Sequence, residues 1–281
     1  MSFIEASLKN WAEFERIASI YARLYVDHGG PLFRGQADST WLLTPSFLRV
    51  CREQTAARAL KLELDLLAVF EGRVHLVADP AEQLPVSPYH SLPERWALMQ
   101  HHAAPTRLLD WTESIYVALY FAVRSQDGVD GALFCVNSGI VIPEIPGPPP
   151  AEHPWNSKVN EDTLLQDFDA EPNVRIWFPA HKSKRLAMQQ GLFTYSTHVL
   201  GDQHSMFAAG AEKYRARYSG ADAFTKYVVP ADLKRDFLAR LNCMNVGSHT
   251  LFPDLVGLGT YVAELAKLGL FPESAPSAQR L

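Results

Sequence analysis

Thr106-Arg107-Leu108-Leu109-Asp110-Trp111-Thr112, running on into Ile115, Val117, Ala118, Tyr120 and Phe121, decides how this chain is read. The first stretch is short, apolar and bounded by polar residues, the pattern of a buried strand. Thr112 can cap the helix that follows, so the segment predicts a strand, a turn and a helix in immediate succession. Upstream, Trp11, Phe14, Ile17, Tyr21 and Leu24 recur at helical spacing up to Gly29-Gly30-Pro31, and Leu32-Phe33-Arg34 then reads as a short strand ending at Arg34. Leu60, Leu64, Leu67, Phe70 and Val74 mark a core helix within about 55–77. Ser91-Leu92-Pro93-Glu94 has the form of a capping box, which starts another helix running to about Gln100.

Downstream, strands are predicted at Gly131–Val136, Val174–Phe178, Leu192–Tyr195 and Phe224–Val229, and helices at about 231–243 and from Pro253 to about Leu268. The prolines between Ser138 and Asn156 lack backbone donors, so that segment is expected to be a surface excursion. The expectation is a single α+β domain over residues 1–271, with a central mixed or antiparallel sheet, flanking helices and a flexible tail at 272–281.

Composition narrows the function classes. The 281 residues are 47% hydrophobic and 20% charged, enough to bury a large core. A formal charge of −5 argues against general binding to nucleic acid or anionic membrane, so a polyanion would have to be gripped locally. No apolar run approaches the ~20 residues of a membrane span, and no signal sequence opens the chain, so a cytoplasmic protein without membrane contact is expected. Cys51, Cys135 and Cys243 form neither a disulfide framework nor a zinc spacing and read as buried free thiols.

Three clusters could carry chemistry. Arg34 stands at a strand end beside Gly35 and Gln36: its planar fork suits phosphate or carboxylate, and Gly35 permits close approach to a ligand. Alternatively, Arg34 fixes the turn through carbonyls or a carboxylate. The second cluster puts His101 and His102 at a helix end, Arg107 at the start of an apolar strand and Asp110 near its close. At most one imidazole can face a site, and Arg107 and Asp110 could simply pair with each other. The third is Gln189-Gln190-Gly191, whose amides suit a ribose or carboxamide, or solvent. The scattered histidines offer no ligand spacing, so no metal is expected. Arg34, one histidine, Arg107 and Asp110 are expected to converge on one cleft.

Phe33-Arg34-Gly35-Gln36, the run from Gln100 to Thr112, Gln189-Gln190-Gly191-Leu192-Phe193 and Leu251-Phe252-Pro253-Asp254 together resemble the FRG-domain family, named for its Phe-Arg-Gly motif. The resemblance implies a toxin or antiviral defence effector, with an antitoxin or a phage trigger as regulator. A looser similarity, to ADP-ribosyltransferase-like folds, rests on the order Arg34, Thr112 with Ser114, and Gln190. It implies NAD as substrate, with Arg34 on the pyrophosphate; the clusters above add Gly35, Gln36, Arg107 and Gln189 to Arg34, Thr112 and Ser114 as nucleotide-binding candidates, and His101, His102, Asp110 and Gln190 as catalytic candidates. The usual Gln/Glu-x-Glu motif is absent near Gln190. Three readings stay open: ADP-ribosyl transfer to a protein or RNA target or NAD cleavage, a non-catalytic nucleotide-sensing or protein-binding module, and a metal-independent ribonuclease using a histidine with Arg107.

Overall fold

A computed structural model describes residues 3–28, 30–51, 53–77, 91–140, 173–179, 182–218 and 222–270. Seven strands form one sheet: β1 (Ile4–Ser7), β2 (Pro31–Gln36), β3 (Leu109–Thr112), β4 (Gly131–Asn137), β5 (Val174–Trp177), β6 (Gly191–Ser196) and β7 (Phe224–Val229), in the order β1-β7-β4-β2-β3-β6-β5. The β1–β7 pair is parallel and every other pair antiparallel, so the sheet is mixed. The helices are α1 (Trp11–His28), α2 (Ser46–Val50), α3 (Ala56–Val74), α4 (Leu92–His101), α5 (Ile115–Val123), α6 (Lys184–Met188), α7 (Gln203–Arg217), α8 (Lys234–Cys243), α9 (Ser248–Leu251) and α10 (Leu255–Leu268). The α+β arrangement is the one expected.

Strand alternation assigns the two faces. Phe33, Leu133 and Cys135 pack under α1, α5 and α8, while Trp177, Phe193 and Tyr195 pack under α3 and α4. On the opposite face Leu32, Trp111, Phe134, Ile176, Leu192 and Phe224 meet Phe207 and Ala211 of α7. The sheet is nearly two sheets. β2 and β4 stay paired from Pro31 to Gln36, whereas β2 meets β3 at one register pair, Phe33 opposite Thr112.

α5 is held against this junction by missing side chains. A Cβ on Gly35 would lie 1.8 Å from the Ala118 carbonyl oxygen, and one on Gly131 would lie 2.4 Å from that of Ala122. The group that Gly35 admits is therefore helix backbone, not the ligand expected from sequence.

Several boundaries differ from expectation, each for a local reason. β2 continues past Arg34 to Gln36 because β4 offers partners as far as Ala132. β3 starts at Leu109 rather than Thr106, since the Thr106 carbonyl accepts the Phe47 amide at 3.0 Å and is committed to α2. The cap of α5 is Ser114, whose Oγ accepts the Val117 amide, while Thr112 ends the strand. Pro253 does not open α10, because Asp254 is its cap and accepts the Gly257 amide at 2.7 Å. The capping box stands as expected, with the Glu94 carboxylate accepting the Ser91 amide at 2.9 Å. Cys51 and Cys135 are buried, but Cys243 is exposed. Most of the segment from Ser138 to Asn156 and all of the tail at 272–281 lie outside the described residues, after a single 3-10 turn at Ser138–Ile140.

Candidate functional site

The chain makes two different environments on either side of the Phe33–Thr112 crossing. Toward the end of β2 lies Arg34, whose Nη1 donates to the Asp110 carbonyl oxygen at 2.6 Å and lies 3.8 Å from the Asp110 carboxylate. The Arg34 Nε is buried without a partner. Burial pulls the guanidinium pKa below its ordinary value; Asp110 works against that shift and the positive charge of Arg49 adds to it. Gln36 donates from Nε2 to the Leu42 carbonyl at 3.3 Å, and its Oε1 is also buried without a partner.

Toward the start of β2, a cavity of about 500 Å³ opens at the head of α5, between α1 and the turn that leads from α6 into β6. Tyr21, Phe33, Tyr116, Ser114, Glu113 and Gln190 contribute to its wall. Gln190 has φ 47°, the left-handed region that residues other than glycine seldom enter, so the turn into Gly191 holds it in a strained conformation. That turn is tied on both sides. The Glu113 amide donates to the Gln190 carbonyl at 3.1 Å, the Thr112 hydroxyl to the Gln189 carbonyl at 2.7 Å, and the Gln189 side-chain Nε2 to the Leu251 carbonyl at 3.0 Å. The cavity therefore takes Glu113 and Gln190, from two different strand ends, into one lining.

The phenols are donors rather than bases here. Burial raises the Tyr21 pKa far above its ordinary value, with smaller contributions from Cys135 and Tyr227, and burial also raises that of Tyr116. No lysine or arginine is among the described residues lining the cavity. Chemically, the described lining combines aromatic residues with a carboxylate and a carboxamide.

Not all expected site residues come together. Arg34 meets Asp110, and Thr112, Ser114, Gln189 and Gln190 gather around the cavity mouth or its supporting turn. Arg107 goes elsewhere: it is buried, forms a two-pronged ion pair with Glu63, donates to the Ser196 and Thr197 carbonyls at 3.2 Å and lies 4.9 Å over the Trp96 ring. It does not pair with Asp110, the alternative the sequence left open, because its guanidinium is taken by Glu63 of α3. His101 and His102 are exposed at the end of α4, ring centroids 5.0 Å apart, with His102 6.2 Å from Phe70. Among the described residues no cluster of three or more histidine, cysteine or acidic side chains could hold a metal, and no helix is long and apolar enough to cross a membrane.

Residues 30–130, which contain Arg34, Gly35, Asp110 and Glu113, match the family model of the FRG domain. The chain carries an FRG domain. No curated protein and no solved structure matches it. The matched FRG segment contains both partners of the β2–β3 crossing and the Glu113 side of the cavity, while Gln190 and its turn come from beyond the match. Glu113 is the residue that sequence reasoning missed. It stands just before the α5 cap and lines the same cavity as Gln190.

Proposed function

We propose that the FRG domain binds a nucleotide of the NAD class, with the nicotinamide-ribose end in the cavity at the head of α5, and that it acts by ADP-ribosyl transfer or NAD cleavage. The observation that carries this reading is the presence of both Glu113 and Gln190 in the lining of one cavity, their backbones joined by a hydrogen bond. A carboxylate there can accept a ribose hydroxyl and oppose the positive charge that grows on the sugar as nicotinamide departs. The Gln190 amide offers both a donor and an acceptor to a carboxamide. That no described residue of the lining is a cation suits a pyridinium better than a phosphate. In this reading Arg34 is a positioning residue, fixing the junction that carries Phe33 and Thr112 beside the cavity.

The ribonuclease reading draws no support from Arg107, whose guanidinium is committed to Glu63 and two carbonyls. A binding module without turnover is favoured by one detail. The Thr112 hydroxyl, expected to hold the nucleotide, is already engaged by the Ser114 amide and the Gln189 carbonyl.

Calorimetric titration with NAD, run beside chromatographic assay of released nicotinamide, tests both readings. Binding with release supports catalysis, and binding without release supports the sensing module. Glu113→Gln should weaken binding at least tenfold while leaving the melting temperature unchanged. Absence of NAD binding, or a Glu113→Gln protein that binds like the parent, overturns the proposal.

A further inference from the structure

Two arginines from distant parts of the chain stack on one ring. Phe252, which closes α9, has the guanidinium carbon of Arg185 at 4.6 Å and that of Arg124 at 5.1 Å from its ring centre. Arg124, the C-cap of α5, also lies 5.7 Å from the Tyr120 ring and 5.6 Å from that of Phe121, so three rings hold a half-buried cation in place. Arg185 belongs to α6 and is exposed, as are Lys182 and Lys184 beside it in the chain. The rings engage both guanidiniums without using a hydrogen-bond donor. Among the described residues no acceptor takes a side-chain nitrogen of either arginine, and no acidic side chain pairs with Arg124, Arg185, Lys182 or Lys184. The carboxylates close to Arg124 and Phe252 in the chain or the fold are committed elsewhere: Glu264 accepts from the Tyr120 and Ser248 hydroxyls, Asp254 from the Gly257 amide, and Asp127 pairs with Lys267.

We propose that Arg124 and Arg185 form a binding site for a terminal phosphate or diphosphate, of the kind that a small phosphate ester carries. The two charges stand no further apart than their two distances to the Phe252 ring added together, and like charges held that near repel until an anion joins them. The donors decide which anion. A carboxylate has two oxygens and is filled by one guanidinium fork, whereas a terminal phosphate has three acceptor oxygens and a charge of about −2, enough to take a fork from each arginine. Lys182 and Lys184 add point charges next to Arg185, which suits a diphosphate better than a single phosphate. A formal charge of −5 over the whole chain makes such a cluster of unpaired cations a local device for an anion rather than a general polyanion surface. The site lies apart from the cavity at the head of α5, whose described lining holds no cation, and does not depend on what that cavity binds.

Calorimetric titration of the full chain with inorganic pyrophosphate tests this, with glutarate, a dicarboxylate, as the comparison. The parent chain should bind pyrophosphate with an affinity that falls as salt rises, and should bind glutarate weaker by roughly tenfold or more. Arg185→Gln, at an exposed position, should weaken pyrophosphate binding by roughly tenfold or more with an unchanged melting temperature. Arg124→Lys keeps a cation among the three rings but loses the fork, and should weaken binding as well. Absence of pyrophosphate binding, binding that Arg185→Gln leaves intact, glutarate held as tightly as pyrophosphate, or an oligonucleotide without terminal phosphates that binds through Arg185 more tightly than pyrophosphate does overturns the proposal.

Discussion

Arg34 and Asp110, 76 positions apart, are joined through a side chain and a backbone: the Arg34 Nη1 donates to the Asp110 carbonyl oxygen at 2.6 Å, just past the single register pair that links β2 to β3. The bond closes the gap where the two strands diverge. Because it ends on a carbonyl, it depends on the guanidinium and hardly at all on the Asp110 carboxylate, which is 62% exposed and 3.8 Å away. Arg34→Lys should therefore destabilise the fold by about 1.5–3 kcal/mol, the worth of a hydrogen bond to a charged donor. Asp110→Asn should change stability by less than about 0.5 kcal/mol, as exposed ion pairs do. Urea denaturation of both variants measures the contrast, and equal losses would shift the weight to the ion pair.

Arg107 and Glu63 show the opposite balance. Both are buried, the guanidinium grips both carboxylate oxygens, and its remaining donors reach two carbonyls. Glu63→Gln or Arg107→Met should each cost about 3–5 kcal/mol by stranding the other charge. The double change Glu63→Leu with Arg107→Met should be markedly less costly than the sum of the two. Additive losses in that cycle would show that the pair acts as two independent contacts.

Gly35 carries the tightest steric demand at the junction. A methyl group there would sit 1.8 Å from the Ala118 carbonyl oxygen, and backbone within α5 cannot yield as a side chain can. Gly35→Ala should abolish cooperative folding or cost more than about 3 kcal/mol, even though glycine is ordinarily unfavourable inside a strand. A Gly35→Ala protein that melts like its parent would show that α5 can lift off the sheet.

Much of this architecture follows from apolar patterning: α1 and α3 turn an apolar stripe to the sheet, and α5 is apolar and buried nearly all round. Periodicity says nothing where burial is absent or divided. β1 is exposed along its whole length and exists through its ladder with β7, so Ile4–Ser7 carries no alternation to read. α7 buries Gln203, Phe207 and Ala211, too thin a stripe to stand out. The site divides in the same way. Arg34 and the Gln189-Gln190 turn stand out as polar residues beside glycine, and Asp110 as a carboxylate within an apolar run. Arg107 was misplaced because its partner, Glu63, sits 44 positions upstream in a helix that looked like pure scaffold. Glu113 went unseen because its relation to Gln190 is made by the β3–β6 ladder, a register that residue spacing does not contain.

His204 gives the domain an acid-sensitive spot outside the candidate site. Its ring lies among Phe3, Phe134 and Phe224 at centroid distances of 5.2, 6.3 and 5.8 Å, and its Nδ1 is buried without a partner. Burial lowers its pKa below the ordinary 6.5, Asp202 opposes that shift, and Lys226 reinforces it. The unfolded chain therefore takes up a proton at a higher pH than the folded one does. Stability from this group is complete above about pH 6.5 and is lost as the pH falls from there through the lower folded-state pKa. His204→Phe removes the proton while keeping an aromatic ring among the other three. Melting temperatures of the parent and the variant should thus converge or keep a fixed offset above about pH 7, and below about pH 6 the gap should widen in favour of the variant. Melting curves that stay parallel from about pH 7 to about pH 5 would mean that His204 binds its proton equally well folded and unfolded, and would remove it as the source of any acid sensitivity.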